Sequence, residues 1–242
     1  MGGRLTWLGH ATVLLELDGA RLLTDPVLRP RVAHLVREAP VPGPLGHLDG
    51  ILLSHGHHDH LDLPSLRELD PTAPVLAPPG AVRSLRRAHH PVRTLVPGDE
   101  IEVAGVRVRA VPAAHDGRRL PVGDAPSAVG FVAGGVYFAG DTEPYPEMAE
   151  LAGTLDAALL PVSGWGPKTG PGHMDPRDAA EALALLRPAL VVPIHWGTYR
   201  RLGHHPSGDP AREFEAHAAE LAPEVRVVVL APGESVEITR AV

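Results

Sequence analysis

The stretch LLSHGHHDHLDLP, residues 52–64, constrains this chain more than any other part of it. It places four histidines and one aspartate within the six positions His55 to His60, directly behind the apolar run GILLS at 50–54. A short continuous apolar run of this kind reads as a strand buried on both faces. Its end must then deliver imidazoles and a carboxylate where neither packing nor solubility requires them. In extended geometry residues i and i+2 share a face, so His55 and His57 can grip one cation together. Asp59 and His60 come one turn later and would point at a neighbouring position, while His58 alternates to the other side. Imidazole nitrogen and carboxylate oxygen suit zinc, manganese or iron. A fold that uses this cluster has to bring it partners.

Three isolated candidates follow, each just past an expected strand: His115 in AVPAAHD, Asp141 in VYFAGDT and His195 in VVPIHWG. Singly, an Asp after Gly is a turn residue and a lone His a hydrogen bonder. Sites on sheet proteins, however, gather at strand ends, where distant segments converge. Falling in this order behind the cluster, the three gain weight together.

The surrounding pattern is β-rich, then alternating. RLTWL, TVLLEL and RLLTD read as strands, the last two joined through the hairpin pair Asp18-Gly19. Residues 26–49 lose periodicity, carry several prolines and read as a long loop. LPSLREL and GAVRSLRRA read as helices, with APVLAP a strand between them. VRTLV, EIEVAG and VRVRAVP return to strand with Gly105 as a turn, and SAVGFVAGGVYFAGD gives two strands around Gly134-Gly135. In the second half LDAALLPV, ALVVPI, VRVVVLA and ESVEI are strand candidates. Asp175-Pro176 and Asp209-Pro210 open two helices with a cap and a proline. No linker or repeat divides the chain, so residues 1–242 are expected to form one domain. Two sheets packed face to face with helices outside is the architecture this order suggests.

Composition narrows the function. Lys and Arg number 22 against 29 Asp and Glu, a net charge of −7, which argues against broad nucleic-acid or anionic-membrane binding and leaves room only for a local basic patch. With no cysteine, disulfides and thiolate ligands are excluded. No apolar run is long enough for a membrane span, and the N-terminus shows no export signal, so a cytoplasmic location and a small-molecule substrate are expected. Aromatics make up only 4% of residues, so the core has to be built from Leu, Val and Ala.

The sequence resembles the metallo-β-lactamase-fold hydrolases. SHGHHDH matches the H-x-H-x-D-H signature of that family, and the later His, Asp and His match its remaining ligands, over nearly the whole chain. The resemblance implies a four-layer αββα sandwich with a two-metal site at one edge of the sheets. It assigns His55, His57 and His115 to one divalent ion and Asp59, His60 and His195 to the other, with Asp141 bridging. Zinc is the first choice, manganese or iron the alternatives. Within the family, WLGHATVLLELDGARLLTDPVL, FAGDT, GHMDPRDAAEAL and PIHWGTY resemble the branch of bacterial relatives of N-acylphosphatidylethanolamine-hydrolysing phospholipase D. Ascorbate-6-phosphate lactonase-like proteins lie nearby. The stretch after His115, DGRRLPVGDAPSAVGF, lacks the tryptophans of the phospholipase branch.

Such a site implies hydrolysis by a hydroxide held between the metals, with Asp59 in the catalytic centre, on a phosphodiester or alternatively a sugar lactone. His173, in GHMDP, matches a family histidine on the substrate side and would serve as substrate contact or proton donor, or only as a loop hydrogen bonder. Asp25 could hold a ligand histidine from behind or form an Asp-Pro turn; His10 could support the site or be structural. Arg118 and Arg119 could bind a phosphate or be solvated. His34, His47, His89-His90, His204-His205 and His217 read as surface or helix residues. A single-iron sulfur dioxygenase is the competing redox reading, and an inert metal-binding scaffold the third.

Overall fold

The computed structural model describes residues 2–117, 128–163, 170–202 and 208–239. Two seven-stranded sheets form the centre. The first runs in the order Ser235–Ile238, Gly3–Gly9, Thr12–Leu17, Ala20–Thr24, Gly50–Leu52, Val75–Ala77, Val92–Thr94. Its first four strands pair antiparallel and its last four parallel. The second runs Arg226–Val227, Leu190–Ile194, Ala157–Pro161, Val136–Phe138, Gly130–Ala133, Val106–Val111, Glu100–Val103. It is parallel through the first four of these strands and antiparallel thereafter. Both sheets are therefore mixed.

The period-two geometry of a strand sorts apolar side chains between layers. Leu15, Leu22 and Leu52 of the first sheet and Phe131, Phe138, Leu159 and Val192 of the second share one buried cluster, the seam between the sheets. Their neighbours face the other way. Leu14, Leu23 and Ile51 pack outward against Leu66 of α1 (Leu63–Arg67) and Leu85 of α2 (Pro79–Leu85). Ala158, Leu160 and Val191 pack against Leu183 of α3 (Pro176–Leu186) and Phe214 of α4 (Pro210–Leu221). Strands covered on both faces need apolar residues at every position, which is why GILLS and LDAALLPV show no alternation. Each fully buried Leu contributes about 1.5–3 kcal/mol, so the packing of the two sheets dominates stability. The αββα sandwich is thus observed.

Helix starts follow their local signals. Asp175 caps α3 by accepting from the backbone N–H groups of Arg177 and Asp178, and Asp178 closes the capping box on the Asp175 N–H. Asp209 caps α4 through the Arg212 N–H.

Three expectations need correction. Residues 26–49 are not wholly loop: Arg31–Val32 and Leu35–Arg37 form a small antiparallel ribbon, joined by Tyr199–Arg201 into a third, three-stranded sheet. VRVVVLA contributes only Arg226–Val227 as strand. His90 is not a surface residue; it is buried, with Nδ1 3.0 Å from the Ala73 carbonyl and Nε2 2.8 Å from that of Leu66. Its partners come from two distant turns, which a local reading of HH cannot anticipate.

Candidate metal centre

Strands of both sheets end at one edge and hand their next residues to a common point. His10 leaves Gly3–Gly9, Asp25 leaves Ala20–Thr24 and His55 follows Gly50–Leu52; from the other sheet come His115, Asp141 and His195. Several exits are sharp: His10, Asp25 and His195 have φ of 54°, 27° and 65°. Non-glycine residues adopt that region at a cost, and it concentrates at functional sites. Gly140, just before Asp141, has φ +62°, and a Cβ there would lie 2.5 Å from the Cβ of Ser54. Glycine lets the two sheets' loops meet at this point.

The ligand turn is not extended. The N–H groups of His60 and Leu61 both donate to the His57 carbonyl, curling the segment back on itself. The curl still brings His55 and His57 together, with Nε2 of His55 3.0 Å from Nδ1 of His57. His115 joins them, its Nε2 3.2 Å from the same His57 nitrogen. His60 and His195 meet through their Nε2 atoms at 3.2 Å. Asp141 Oδ2 lies 3.0 Å from His60 Nε2, 3.3 Å from His173 Nε2 and 3.6 Å from His55 Nε2, while Oδ1 lies 3.3 Å from His195 Nε2. Asp59 Oδ2 sits 3.3 Å from His10 Nε2, 3.7 Å from His60 and 3.8 Å from His195. Among the described residues three clusters have potential ligand atoms within 4.8 Å of one another: His55, His57, His115 and Asp141; His10, Asp59, His60 and His195; and, behind these, Asp25 with His55 and His60.

The rear nitrogens of four of these rings fix where the protons are. His115 Nδ1 is 2.8 Å from the Gly172 carbonyl and His195 Nδ1 is 2.8 Å from that of Ser163. A carbonyl can only accept, so Nδ1 carries the hydrogen and Nε2 turns a lone pair inward. His60 Nδ1 is held at 2.6 Å by Asp25, and His55 Nδ1 is 2.9 Å from Ser54 Oγ. Ser54 Oγ gives its own proton to Asp25, so it accepts from His55. The outcome is a ring of inward lone pairs facing buried carboxylate oxygens. Among the described residues Asp141 Oδ1 is buried with no hydrogen-bond donor. Lone pairs opposing lone pairs at this range repel, and a divalent cation between them removes the repulsion. The donor set fits such ions.

Electrostatics agrees for most of these rings, and His60 differs: burial opposes its charge, but Asp141, Asp59 and Asp25 around it raise its affinity for a proton well above the ordinary histidine value, a positive charge that a bound cation would replace. Burial first, then neighbouring imidazoles such as His60 and His195, keeps His55 well below the ordinary histidine value and brings His10 down to about 3. Burial likewise brings His115 to about 4. These rings are neutral at pH 7, the state that coordinates metal. Burial works against ionising Asp141, yet His195 and His60 beside it hold its carboxyl well below the usual range. His173 is the exception among the half-buried rings: burial opposes its charge, but Asp141 and the carbonyls of Pro171 and Gly170 raise its affinity for a proton.

Asp25 and His10 both touch candidate ligands. Arg118, Arg119 and the pair His204-His205 lie outside the described residues. His58 is exposed and belongs to none of the candidate ligand clusters. Sequence reasoning missed Ser54, Thr198 and Glu143. Thr198 Oγ1 accepts from the His10 N–H at 2.7 Å, and Glu143 accepts from the N–H of Gly172, whose carbonyl orients His115. Thr198 and Glu143 carry no signal of their own, because each acts on a backbone group, and Ser54 acts through its hydroxyl on Asp25, which lies far away in the sequence. Arg37 was also missed: buried, it donates to the Leu8, Val27 and Pro40 carbonyls and to Tyr199 Oη.

A sequence-family model described as β-lactamase superfamily domain matches residues 20–196. The chain belongs to the metallo-β-lactamase superfamily. It is 34% identical to a UPF0173 metal-dependent hydrolase of Methanopyrus kandleri over 97% of this chain and 99% of that one. A UPF0173 metal-dependent hydrolase of Opitutus terrae is 35% identical, over 97% of this chain and all of its own. Among solved structures, the metallo hydrolase Igni18 of Ignicoccus hospitalis superposes with a TM-score of 0.75 at 25% identity, covering 100% of both chains. This superfamily member is a metal-dependent hydrolase, and no helix among its described residues is long and apolar enough to cross a membrane.

Proposed function

We propose that the chain is a dinuclear hydrolase, acting on a phosphodiester. His55, His57 and His115 would hold one divalent ion and Asp59, His60 and His195 the other, with Asp141 between them and zinc the first choice. A bound pair of such ions lowers the pKa of water enough to supply a nucleophile at neutral pH and stabilises charge on the reacting oxygens. The chain's own residues then do three things. Asp25 and the carbonyls of Gly172 and Ser163 hold the imidazoles in the tautomer that turns Nε2 inward. Asp59, fixed by His10, orients the attacking water. His173, half-buried at the rim and inclined to hold a proton, gives that proton to the leaving oxygen.

The observation carrying this reading is the ring of inward nitrogens around Asp141, whose two oxygens reach rings of both clusters. The phosphodiester preference rests on the similarity of the FAGDT, GHMDP and PIHWGTY segments to the phospholipase D-like branch. A sugar lactone is the alternative for the same site. The test is elemental analysis of protein purified without chelators, followed by turnover of model phosphodiesters and lactones. About two zinc or manganese ions per chain, with Asp141→Asn losing metal and activity together, is the expected result. An active, fully metallated Asp141→Asn sinks the bridging role, and a single iron brings forward the dioxygenase.

A further inference from the structure

His58, the exposed histidine of the ligand turn, lines a second feature. A cleft of about 570 Å³ lies between His58, the start of α1 and the exposed side of α2. Three guanidinium side chains line it: Arg29, Arg83 and Arg87. Arg83 and Arg87 are four residues apart, so they project from the same side of the helix and its first following turn. Like charges so placed repel one another, and only a ligand or solvent relieves them.

The acidic residue in the cleft wall is Asp62, and its charge is already engaged. Both its oxygens take Arg29, at 2.6 and 2.7 Å, and Oδ2 also accepts from the backbone and hydroxyl of Ser65. Asp62 thus fixes Arg29 as a rigid fork in the wall and leaves nothing for the other two. Arg83 and Arg87 have no carboxylate partner among the described residues. In a chain of net charge −7, two unneutralised guanidiniums in one concavity are a local reversal of sign.

We propose that this cleft binds the phosphate group of a small organic phosphate, held by Arg83 and Arg87 with Arg29 at its side. Guanidinium forks match the tetrahedral oxyanion through paired N–H donors. The excess of two positive charges suits a phosphomonoester dianion. The cavity is larger than a bare phosphate requires, and Leu63 and Pro64 offer an apolar wall for the attached organic part. The site is distinct from the candidate metal centre, since none of the seven candidate ligands lines it.

The phosphate could belong to an organic molecule or be the free ion, and one experiment separates them. On metal-loaded full-length protein, the arginine Nε–Hε signals are followed by NMR during titration with inorganic phosphate and with phenyl phosphate. The signals of Arg83 and Arg87 are assigned from Arg83→Gln and Arg87→Gln. The expected result is saturable shifts of both signals, with the midpoint, followed in the double variant on the Nε–Hε signal of Arg29 in the same cleft, raised at least about tenfold. Tighter binding of phenyl phosphate identifies an organic phosphate; equal or weaker binding overturns that part in favour of the free ion. Signals that stay still for both anions, or a midpoint unchanged in the double variant, overturn the site. Anion binding at the metals does not confuse the readout, because it does not touch these two guanidiniums.

Discussion

Asp25 shows how much of the centre depends on one residue set behind the two four-residue candidate clusters. It is fully buried and accepts from the Ser54 backbone, the Ser54 hydroxyl and the rear nitrogen of His60. Through Ser54 it also governs His55, so one carboxylate sets the tautomer of a histidine in each of the two four-residue candidate clusters. Asp25→Asn replaces an acceptor oxygen with an N–H₂ group and leaves one of these donors facing another donor. We expect metal affinity to fall about 10–100-fold, read by chelator competition. Unchanged affinity would show that backbone geometry alone orients the rings. His173 makes a different prediction. His173→Gln keeps a polar side chain but cannot deliver a proton near neutral pH. Turnover of esters with poor leaving groups should drop by about 10²–10⁴, and that of activated nitrophenyl esters much less. Equal losses on both would make it a substrate contact only.

Among elements, the strand ends matter more than the strands. Val136–Phe138 runs at once into Ala139, Gly140 and Asp141, and Gly140 lies against Ser54 from the other sheet. Gly140→Ala meets both a positive φ and a Cβ contact of 2.5 Å, so the two sheets must part slightly. The expected cost is about 1–3 kcal/mol, seen as a lower thermal midpoint, with weakened metal binding because Asp141 moves with its neighbour. Full stability and metal content in this variant would show that the loops have slack. The same elements explain what the sequence could reveal. The hairpin at Asp18-Gly19, the turn at Gly105 and the caps at Asp175 and Asp209 are local devices and were legible. So was the position of every candidate ligand just beyond a strand. The Arg31–Val32 and Leu35–Arg37 ribbon was not, because its third strand is Tyr199–Arg201, more than a hundred residues on. The supporting partners Thr198 and Glu143 were hidden for the same reason: they bond to backbone, which has no side-chain code. Extended geometry was also the wrong premise for His55 and His57, which meet across a curled turn.

For the whole molecule, pH and stability are linked through the buried histidines. Burial brings His115 to about 4 and His10 to about 3, below the ordinary 6.5. As the pH falls through 6.5 the unfolded chain takes up protons on these rings, while the folded chain waits until about 4 and about 3. The unfolded state then holds more protons, so stability declines as the pH drops across that interval. Chelator-treated protein should show a urea midpoint that falls steadily with acidification there, and metal should raise it most near neutrality. A midpoint indifferent to pH would mean that the rings titrate alike in both states. Tyr199, beside the ring of His10, belongs to a tightly tied segment. The guanidinium of Arg37 is anchored to the first strand, to both ends of the 27–40 segment and to Tyr199, while its own strand pairs with Tyr199–Arg201. A segment tied at so many points behaves as a door frame, not a door. Amide exchange across residues 35–37 and 199–201 should therefore be as slow as in the central sheets and unaltered by substrate analogues, and Arg37→Met should quicken it. His10, whose ring lies edge-on against Tyr199, would then keep one position whether the site is empty or filled, so the centre would meet its substrate as a rigid body on this side.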